Sequence, residues 1–491
     1  MNTSMHERTH AVTGDGQRRV LSVPRIVFMV VAAAAPLASM VGTLPVSMGI
    51  GNGAGVPGAF LIATLTLLCF TVGYAQMSRR VVNTGAFYTF VAQGAGKAVG
   101  VCAAFVALVA YTTFMIGLLG LFAYFMDLTM MSVGVDLSWI LYAAAGMTIT
   151  AVLGYRAVDL SSKVLGALML AEITVLVVFD LAVFAAKGWA AVPAASFTVE
   201  TVFAPGFAIA LMYAYTSFVG FESAALYSEE ARDPVKTIPA ATYAAVLLIG
   251  GFYLLQAWIT VGAVGAAQTQ EVARAQGGEL LFGLINQFSG PLITALARVL
   301  LCVSFLAAYL AVHNATTRYF FALSRERLLP NKLNQLHPKH GAPSTASVAV
   351  SLITVAFLAA FGMAEGDPYT SLIPIQIGLG TLGIILLQAL AAVAAVVYFR
   401  RLRSTDFWLT LVIPTLGAAG LIVAVFLITK NFGLLMALDA AWKGALPRAL
   451  PFVYLIACLS GLAFALWLRS KRPQVYRELA AVRLRADTAR A

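Results

Sequence analysis

Residues 208–225 read Ala208-Ile209-Ala210-Leu211-Met212-Tyr213-Ala214-Tyr215-Thr216-Ser217-Phe218-Val219-Gly220-Phe221-Glu222-Ser223-Ala224-Ala225, a run long and apolar enough to cross a bilayer. Its middle nevertheless carries Thr216, Ser217, Gly220, Glu222 and Ser223. In hydrocarbon the backbone leaves helical geometry only where protein or a water-lined cavity surrounds it, and a carboxylate at that depth is costly. The pattern therefore favours a broken helix whose interruption lines a polar site. A Gly-Ser kink beside a hydrogen-bonded Glu is the alternative.

Composition places the chain among polytopic helical membrane proteins. Of its 491 residues, 60% are hydrophobic and only 11% are charged, too few charges to cover a soluble protein. Apolar runs of about 20 residues recur along the chain, and each can cross a hydrocarbon core of ~30 Å. The net charge of +11 does not indicate nucleic-acid binding, because the basic residues lie in short loops between the runs. We expect the lipid bilayer as a partner and no nucleic acid.

Twelve apolar segments are predicted to span the membrane as one integrated domain at residues 24–470. A disordered tail is expected before it at residues 1–23, and a basic tail after it at residues 471–491. An even number of spans puts both termini on one side, and that side also holds most of the Lys and Arg residues. By the positive-inside rule this side is the cytoplasm, so we expect a multi-pass protein of the plasma (inner) membrane with both termini cytoplasmic.

A second interrupted span is predicted near the start of the chain, at Pro36-Leu37-Ala38-Ser39-Met40-Val41-Gly42-Thr43. Proline removes a backbone donor and clashes with the preceding turn of a helix. The interrupted spans are the first and the sixth. If residues 24–187 and 203–400 are two repeats of five spans each, these two spans occupy the same position in their repeats. Because five is odd, the second repeat has the opposite orientation in the membrane from the first, as in secondary transporters with discontinuous helices. Helices 11 and 12 follow at residues 406–470.

The two breaks together suggest what kind of solute would bind there. Each break leaves backbone N–H groups on one side and C=O groups on the other. The N-terminal end of a half-helix favours an anion such as a carboxylate, and exposed carbonyls favour an ammonium group. A zwitterionic amino acid suits that pair of poles.

Several motifs resemble those of amino acid permeases of the amino acid–polyamine–organocation (APC) superfamily. In and after the sixth span these are Phe218-Val219-Gly220-Phe221-Glu222-Ser223, Glu229-Glu230-Ala231-Arg232-Asp233-Pro234 and Ile238-Pro239. Those near the second and eighth spans are Tyr74-Ala75-Gln76-Met77-Ser78, Gly85-Ala86-Phe87-Tyr88, Asn314-Ala315-Thr316-Thr317-Arg318 and Ala322-Leu323-Ser324-Arg325. The resemblance covers roughly residues 24–470. It implies an all-α secondary active transporter that moves amino acids by alternating access.

The resemblance also implies substrate contacts at the two breaks. Ser39-Met40-Val41 stands at the position of the family's Gly-Ser-Gly break, and Pro36 or Gly42 is the alternative breaking residue. Thr216 stands where some relatives place a large aromatic residue over the substrate, so Tyr215 or Phe218 is a candidate for that role. The implied substrate-binding residues are Pro36, Ser39, Met40, Val41, Gly42, Tyr215, Thr216, Ser217, Phe218 and Gly220.

Two acids inside the spans are assigned to coupling or gating. Glu222 matches a carboxylate common among the relatives, which implies that it ties the two broken helices together or takes a proton. Glu172 in the fifth span stands where some proton-coupled relatives have a lysine, so its carboxylate can carry a proton or help bind a cation. Acidic side chains at membrane depth cost free energy and usually serve a function. The alternative is a purely structural Glu, buried and hydrogen-bonded to a neighbouring hydroxyl. We expect proton coupling.

Catalysis is not indicated. The spans contain no metal-ligand set, no nucleophile–base pair at convincing spacing and no nucleotide loop, so we predict neither an enzyme nor a cofactor nor a metal. Within transport, an amine or polyamine carrier and an amino acid exchanger stay open, as do a monomer and a homodimer. Arg298 is expected to snorkel toward water. Helical pattern does not show which way Tyr111, Ser304 and Phe305 face.

Overall fold

The computed structural model describes residues 22–80, 86–155, 162–222, 233–339, 341–363, 367–403, 406–436 and 446–480. Those ranges are helical and contain no β-strand. Nine of their helices are long and apolar enough to cross a membrane, and a bent pair near the start of the chain raises the number to ten. The prediction of an all-helical protein with many apolar spans is confirmed. The predicted fourth and sixth spans correspond to shorter apolar helices, Trp139–Tyr155 and Phe207–Ser217.

The helices are numbered here in chain order. They are α1 Val23–Ala33, α2 Pro36–Gly49, α3 Val56–Ser78, α4 Ala86–Ala95, α5 Lys97–Met131, α6 Trp139–Tyr155, α7 Ser162–Lys187, α8 Val199–Val202, α9 Phe207–Ser217, α10 Pro234–Val264, α11 Thr269–Gln276, α12 Leu280–Ser289, α13 Pro291–Arg325, α14 Ser344–Met363, α15 Ile373–Arg401, α16 Ile413–Asn431, α17 Leu446–Ala449, α18 Phe452–Lys471 and α19 Pro473–Glu478. Single π-helical turns at Pro368–Leu372 and Trp408–Val412 precede α15 and α16.

The centre of the bundle is the pair α5 and α15, which pack closely along much of their length. Glycine makes this approach possible, because a Cβ on Gly380 of α15 would lie 2.5 Å from the Cβ of Phe114 on α5. A Cβ on Gly117 of α5 would likewise lie 2.7 Å from the side chain of Ile377 on α15. Small residues at helix crossings let backbones approach in membrane proteins, where packing rather than the hydrophobic effect holds helices together.

The segment after α18 packs against the helical domain. Val475 and Leu479 are buried in a cluster with residues of α4, α5 and the end of α13. Just after α13, the Glu326 carboxylate accepts hydrogen bonds from the Tyr88 hydroxyl and, at 3.2 Å, from the amide of Ala480. Part of the stretch that the sequence assigns to a tail is therefore an ordered element, at least as far as Ala480.

Candidate functional site

The first break separates α1 from α2 at Ala34–Ala35, and the two helices are bent by 41° there. Ala35 has a left-handed conformation, φ 47°, and Pro36 then opens α2. Proline suits the first helical position, because it lacks an N–H that would be unpaired there. The predicted interruption of the first span is confirmed, and it lies directly before Pro36.

Ser39-Met40-Val41, which stand at the position of the family's Gly-Ser-Gly break, lie inside α2, and of the alternatives it is Pro36 that adjoins the break. Gly42 is also helical and makes a close approach instead: a Cβ there would lie 2.6 Å from the ring of Phe305 on α13. The buried side chains of Met40 and Val41 belong to the packed core around α2.

The carbonyl at the first break has two side-chain donors. The Tyr253 hydroxyl of α10 donates to the Ala34 carbonyl at 3.0 Å, and the Ser39 hydroxyl of α2 donates to it at 2.8 Å. The carbonyl cannot be bonded within α1, because the chain leaves helical geometry at the next residue. Side chains from two helices thus hold a backbone group that would otherwise be bare at membrane depth.

The amide at the start of α2 is bound by an acid from another helix. The Leu37 N–H donates to Oε2 of Glu172 on α7 at 3.1 Å. Glu172 is only 3% exposed, and the Ser304 hydroxyl faces it from α13. That hydroxyl is buried and completes no hydrogen bond of standard geometry. The first break therefore presents a carboxylate seat made of one amide with a hydroxyl beside it, and Glu172 occupies it.

The second break begins where α9 ends, at Ser217. The chain then turns through Phe218–Gly220, and Gly220 has φ 112°, a value that side chains rarely tolerate. Helix α9 therefore ends inside the predicted sixth span, as an interruption there requires. Residues 223–232, which include most of the motif Glu229-Glu230-Ala231-Arg232-Asp233-Pro234, lie outside the described residues.

Glu222 holds the second break from within. Its Oε2 accepts the Gly220 amide at 3.0 Å, and its Oε1 accepts the Tyr111 hydroxyl of α5 at 3.3 Å. The Tyr74 hydroxyl of α3 donates to the Glu222 carbonyl at 3.2 Å. Tyr111 stacks on Tyr319 of α13 with ring centroids 4.9 Å apart. Glu222 thus links the second break to α3 and α5, and the expected link to the first broken helix is not among its described contacts.

The side chains at the end of α9 face other helices. Thr216 shares a hydrogen bond of 2.8 Å with Thr381 on α15, while the Ser217 hydroxyl donates to the Tyr213 carbonyl at 3.2 Å. Tyr215 and Phe218 are 3% and 1% exposed. Helix α9 packs on α2. The structure therefore brings the helices of the two sets of predicted substrate residues together, while Thr216 itself faces α15.

One buried acid, Asp180, was missed in the sequence analysis, and the contacts of Arg298 were not foreseen. Asp180 lies eight residues after Glu172, on the same face of α7, and its buried carboxylate accepts a hydrogen bond from the amide of Gln256 on α10. The spacing of the two acids at helical periodicity was a signal for it. Arg298, which was expected to snorkel, makes two bonds to Glu279, at 3.1 and 2.5 Å, and lies 4.2 Å from the centroid of the Phe282 ring.

Metal chemistry has no support among the residues that the structure describes, where no group of three His, Cys, Asp or Glu side chains could hold an ion. The polar groups at the breaks are suited instead to binding by hydrogen bonds. They comprise backbone N–H and C=O groups, hydroxyls and two buried acids.

Residues 21–457 match the model of a protein family described as amino acid permeases. The chain belongs to this family. The branched-chain amino acid permease BcaP of Bacillus subtilis is 24% identical to this permease over 320 residues, which are 60% of this chain and 65% of that protein. The uncharacterized amino acid permease YecA of the same organism is 24% identical over 247 residues, 47% of this chain and 52% of that protein.

A plant protein is also similar to this permease: the vacuolar cationic amino acid transporter 4 of Arabidopsis thaliana, 25% identical over 145 residues, 29% of this chain and 23% of that protein. The permease spans less than two thirds of the length of each of these relatives. Family membership confirms the resemblance seen in the sequence. Together with the long apolar helices, it indicates a multi-pass membrane protein.

Proposed function

We propose that the protein is a secondary active transporter that carries amino acids across the plasma membrane by alternating access, coupled to protons. It would cross the membrane twelve times, as two inverted repeats of five helices followed by helices 11 and 12, with both termini in the cytoplasm. The observation that carries the proposal is the first break. On opposite sides of one buried interruption it holds a C=O and an N–H that are bonded to side chains and not to the backbone.

The polarity of the first break suits the two charged groups of an amino acid. The positive end of the dipole of α2 favours the carboxylate, and the Ala34 carbonyl favours the ammonium group. Few amides at the start of α2 are available for the carboxylate. Pro36 has none, and that of Ser39 is bonded to the Ala35 carbonyl at 2.9 Å. Leu37 and Ala38 are therefore the proposed backbone donors, and Met40, Val41 and Gly42 would contribute side chains or space.

The second break would complete the pocket from the other repeat. In this proposal Tyr215 or Phe218 covers the substrate, and the turn at Gly220 supplies backbone groups. Thr216 would contribute after it separates from Thr381, because its hydroxyl is engaged in that contact.

An amine or polyamine carrier is the second candidate. The observation that favours it is the presence of three buried acids, Glu172, Asp180 and Glu222. Among the described residues the recorded salt bridge joins Arg298 to Glu279 and involves none of these acids. Unneutralised carboxylates in a buried site favour cations.

Uptake by the purified protein in liposomes tests the proposal. Labelled amino acids are offered with and without an inward proton gradient, and liposomes without protein are the control. We expect saturable uptake that unlabelled amino acids compete and that the gradient accelerates. Competition by a diamine but not by amino acids would favour the second candidate. Flux that does not saturate, or conversion of the solute to a product, would reject a carrier.

A further inference from the structure

The Glu172 carboxylate occupies the place at the start of α2 that a substrate carboxylate would need. We propose that the two carboxylates exchange: the substrate takes the Leu37 amide only when Glu172 binds a proton and gives that amide up. The inference rests on the proposed transport of amino acids. If the exchange occurs, the substrate must carry an α-carboxylate, and one proton binds Glu172 for each substrate molecule that binds.

The seat at the start of α2 is selective for a single anionic group. Helix α2 has 14 residues, and its unpaired first amides carry the positive end of the helix dipole. Pro36 contributes no N–H, and Ser39 is bonded to the Ala35 carbonyl. The Leu37 amide is thus the donor already shown to hold a carboxylate, at 3.1 Å from Oε2 of Glu172.

A second group points to an incoming anionic oxygen. The Ser304 hydroxyl of α13 is 3% exposed and faces the same carboxyl, but it completes no hydrogen bond of standard geometry. Buried hydroxyls in folded proteins usually complete a hydrogen bond. A carboxylate that entered this seat could accept from Leu37 with one oxygen and from Ser304 with the other. Glu172 uses only the first of these two donors with standard geometry.

Glu172 has no described basic partner on the helices packed around it. Helices α2 and α12 contain no charged residue, and Arg25 of α1 is exposed near the start of that helix. From α10 the group that faces Glu172 is the Tyr253 hydroxyl, which donates to the Ala34 carbonyl. Arg298 of α13 is bonded to Glu279, and Lys187 at the end of α7 donates to two backbone carbonyls of α10.

The nearest acid on α7 is also accounted for. Asp180 accepts a hydrogen bond from Gln256 and lies about 12 Å along the helix from Glu172, from a rise of 1.5 Å per residue. The Leu37 amide and the Ser304 hydroxyl are therefore the described groups that stabilise the charged form of Glu172. When a substrate carboxylate binds the Leu37 amide, Glu172 loses that hydrogen bond, and the simplest compensation is that a proton neutralises its carboxylate.

The exchange balances in charge and in hydrogen bonds. A proton adds to one carboxylate oxygen of Glu172, which then becomes a weak acceptor for the Leu37 amide. The substrate carboxylate takes over that amide and adds the Ser304 hydroxyl. When the substrate leaves on the other side, Glu172 releases the proton and recovers the amide. No covalent bond other than the O–H of Glu172 forms or breaks.

Binding measurements on the full-length protein in detergent test the exchange. The probes are the amino acid that competes best in the uptake assay and the amine with the same side chain but no carboxylate. For the wild type we expect amino acid affinity to fall as pH rises and Glu172 ionises. For Glu172→Gln we expect it to be independent of pH and, at high pH, about tenfold tighter than the wild type, the order expected when a neutral acceptor replaces an ionised one. Amine affinity should not show this gain.

Matched variants separate the exchange from other causes. Asp180→Asn makes the same acid-to-amide change on the same helix face and should keep the wild-type pH profile. Ser304→Ala should weaken amino acid binding by a few-fold and leave amine binding unchanged. If Glu172→Gln fails to fold, Glu172→Asp serves instead, because its shorter side chain withdraws from Leu37 and should also raise amino acid affinity at high pH.

Three results would overturn the inference. They are an amino acid affinity of the wild type that does not change with pH, a Glu172→Gln profile equal to that of the wild type, and an amine that binds the wild type well but not Glu172→Gln. The last would make Glu172 a cation site. Absence of any amino acid competitor in the uptake assay would instead reject the proposed function, so the two failures are distinguishable.

Discussion

The two breaks satisfy their exposed backbone groups in opposite ways. At the first break the acid comes from another helix, since Glu172 lies 135 residues from Leu37 along the chain. At the second break the acid is local, since Glu222 lies two residues after the Gly220 amide that it accepts. A remote acid can separate from its amide when helices shift or when it binds a proton. A local acid moves with its own turn and preserves the shape of the break.

The backbone conformations of the two breaks also differ, and the first break again has the less stable arrangement. The first break places Ala35, a residue with a side chain, at φ 47°, whereas the second places glycine at φ 112°. The left-handed region costs an alanine about 1 kcal/mol or more, and it costs glycine almost nothing. The first break is therefore held in a less favourable backbone state by its partners, and the second is relaxed. Of the two breaks, the first is the one suited to a change of conformation.

The largest effect on stability is expected at the second break. Glu222→Ala leaves the half-buried Gly220 amide and the buried Tyr111 hydroxyl without their acceptor, which should lower the free energy of unfolding by about 3 kcal/mol. Chemical unfolding in detergent measures it. Glu222→Gln retains an acceptor oxygen and is the matched control with a smaller loss. Equal losses in both variants would show that the acid does not act as an acceptor for the turn.

The paired donors at the first break should show coupling. Tyr253→Phe and Ser39→Ala each leave the Ala34 carbonyl one donor, so each should cost about 1 kcal/mol or less. The double variant leaves the carbonyl bare and should cost more than the sum of the two single losses. Unfolding of all four proteins closes the cycle. Strict additivity would mean that the carbonyl does not depend on these two hydroxyls.

Replacing the glycine at the second break should lower the free energy of unfolding by less than the loss of Glu222 does. Gly220→Ala forces a side chain into φ 112° and should lower the free energy of unfolding by about 1–2 kcal/mol. Gly251→Ala is the control, because it lies inside α10 with no atom within 4 Å of the added Cβ. That change should be neutral or slightly stabilising, since alanine favours helix. A tolerated alanine at 220 would contradict the strain argument.

The smallest effect should have the opposite sign. Ala35→Gly relieves the left-handed alanine at the first break and should raise the free energy of unfolding by about 0.5 kcal/mol, because the relief slightly exceeds the flexibility that glycine adds to the unfolded chain. Ala38→Gly, three residues later in α2, is the control and should be destabilising. Thermal unfolding of the three proteins in one detergent resolves the order. If both glycines destabilise equally, Ala35 is not strained.

Much of the fold and the presence of both breaks could be predicted from the sequence. Hydropathy sets the long spans, and Pro36, Gly220 and Glu222 stand out because they contradict the apolar runs around them. The sequence does not decide between Pro36, Gly42 and Ser39-Met40-Val41 as the position of the first break, because a left-handed Ala35 has no residue signature. Short span-like helices such as Trp139–Tyr155 also differ from the regular crossings that hydropathy suggests.

The partners within the site were beyond sequence reasoning for a different reason. Glu172 could be identified as a costly buried acid, but its contact with Leu37 depends on how α7 packs against α2. The directions of Tyr111 and Ser304 depend likewise on the rotation of α5 and α13, which have apolar residues on every face. Asp180 alone could have been found, because it repeats the position of Glu172 after about two turns of α7.

The contact between Glu326 and Ala480 limits how the protein can be shortened or labelled for experiments. A chain cut at Lys471 would lack Val475 and Leu479, and it would uncover the apolar surfaces of α4 and α5 that they cover. Glu326 would also lose one of its two donors. An affinity label or a fluorescent reporter should therefore be joined beyond Ala480, with the native residues up to that point kept.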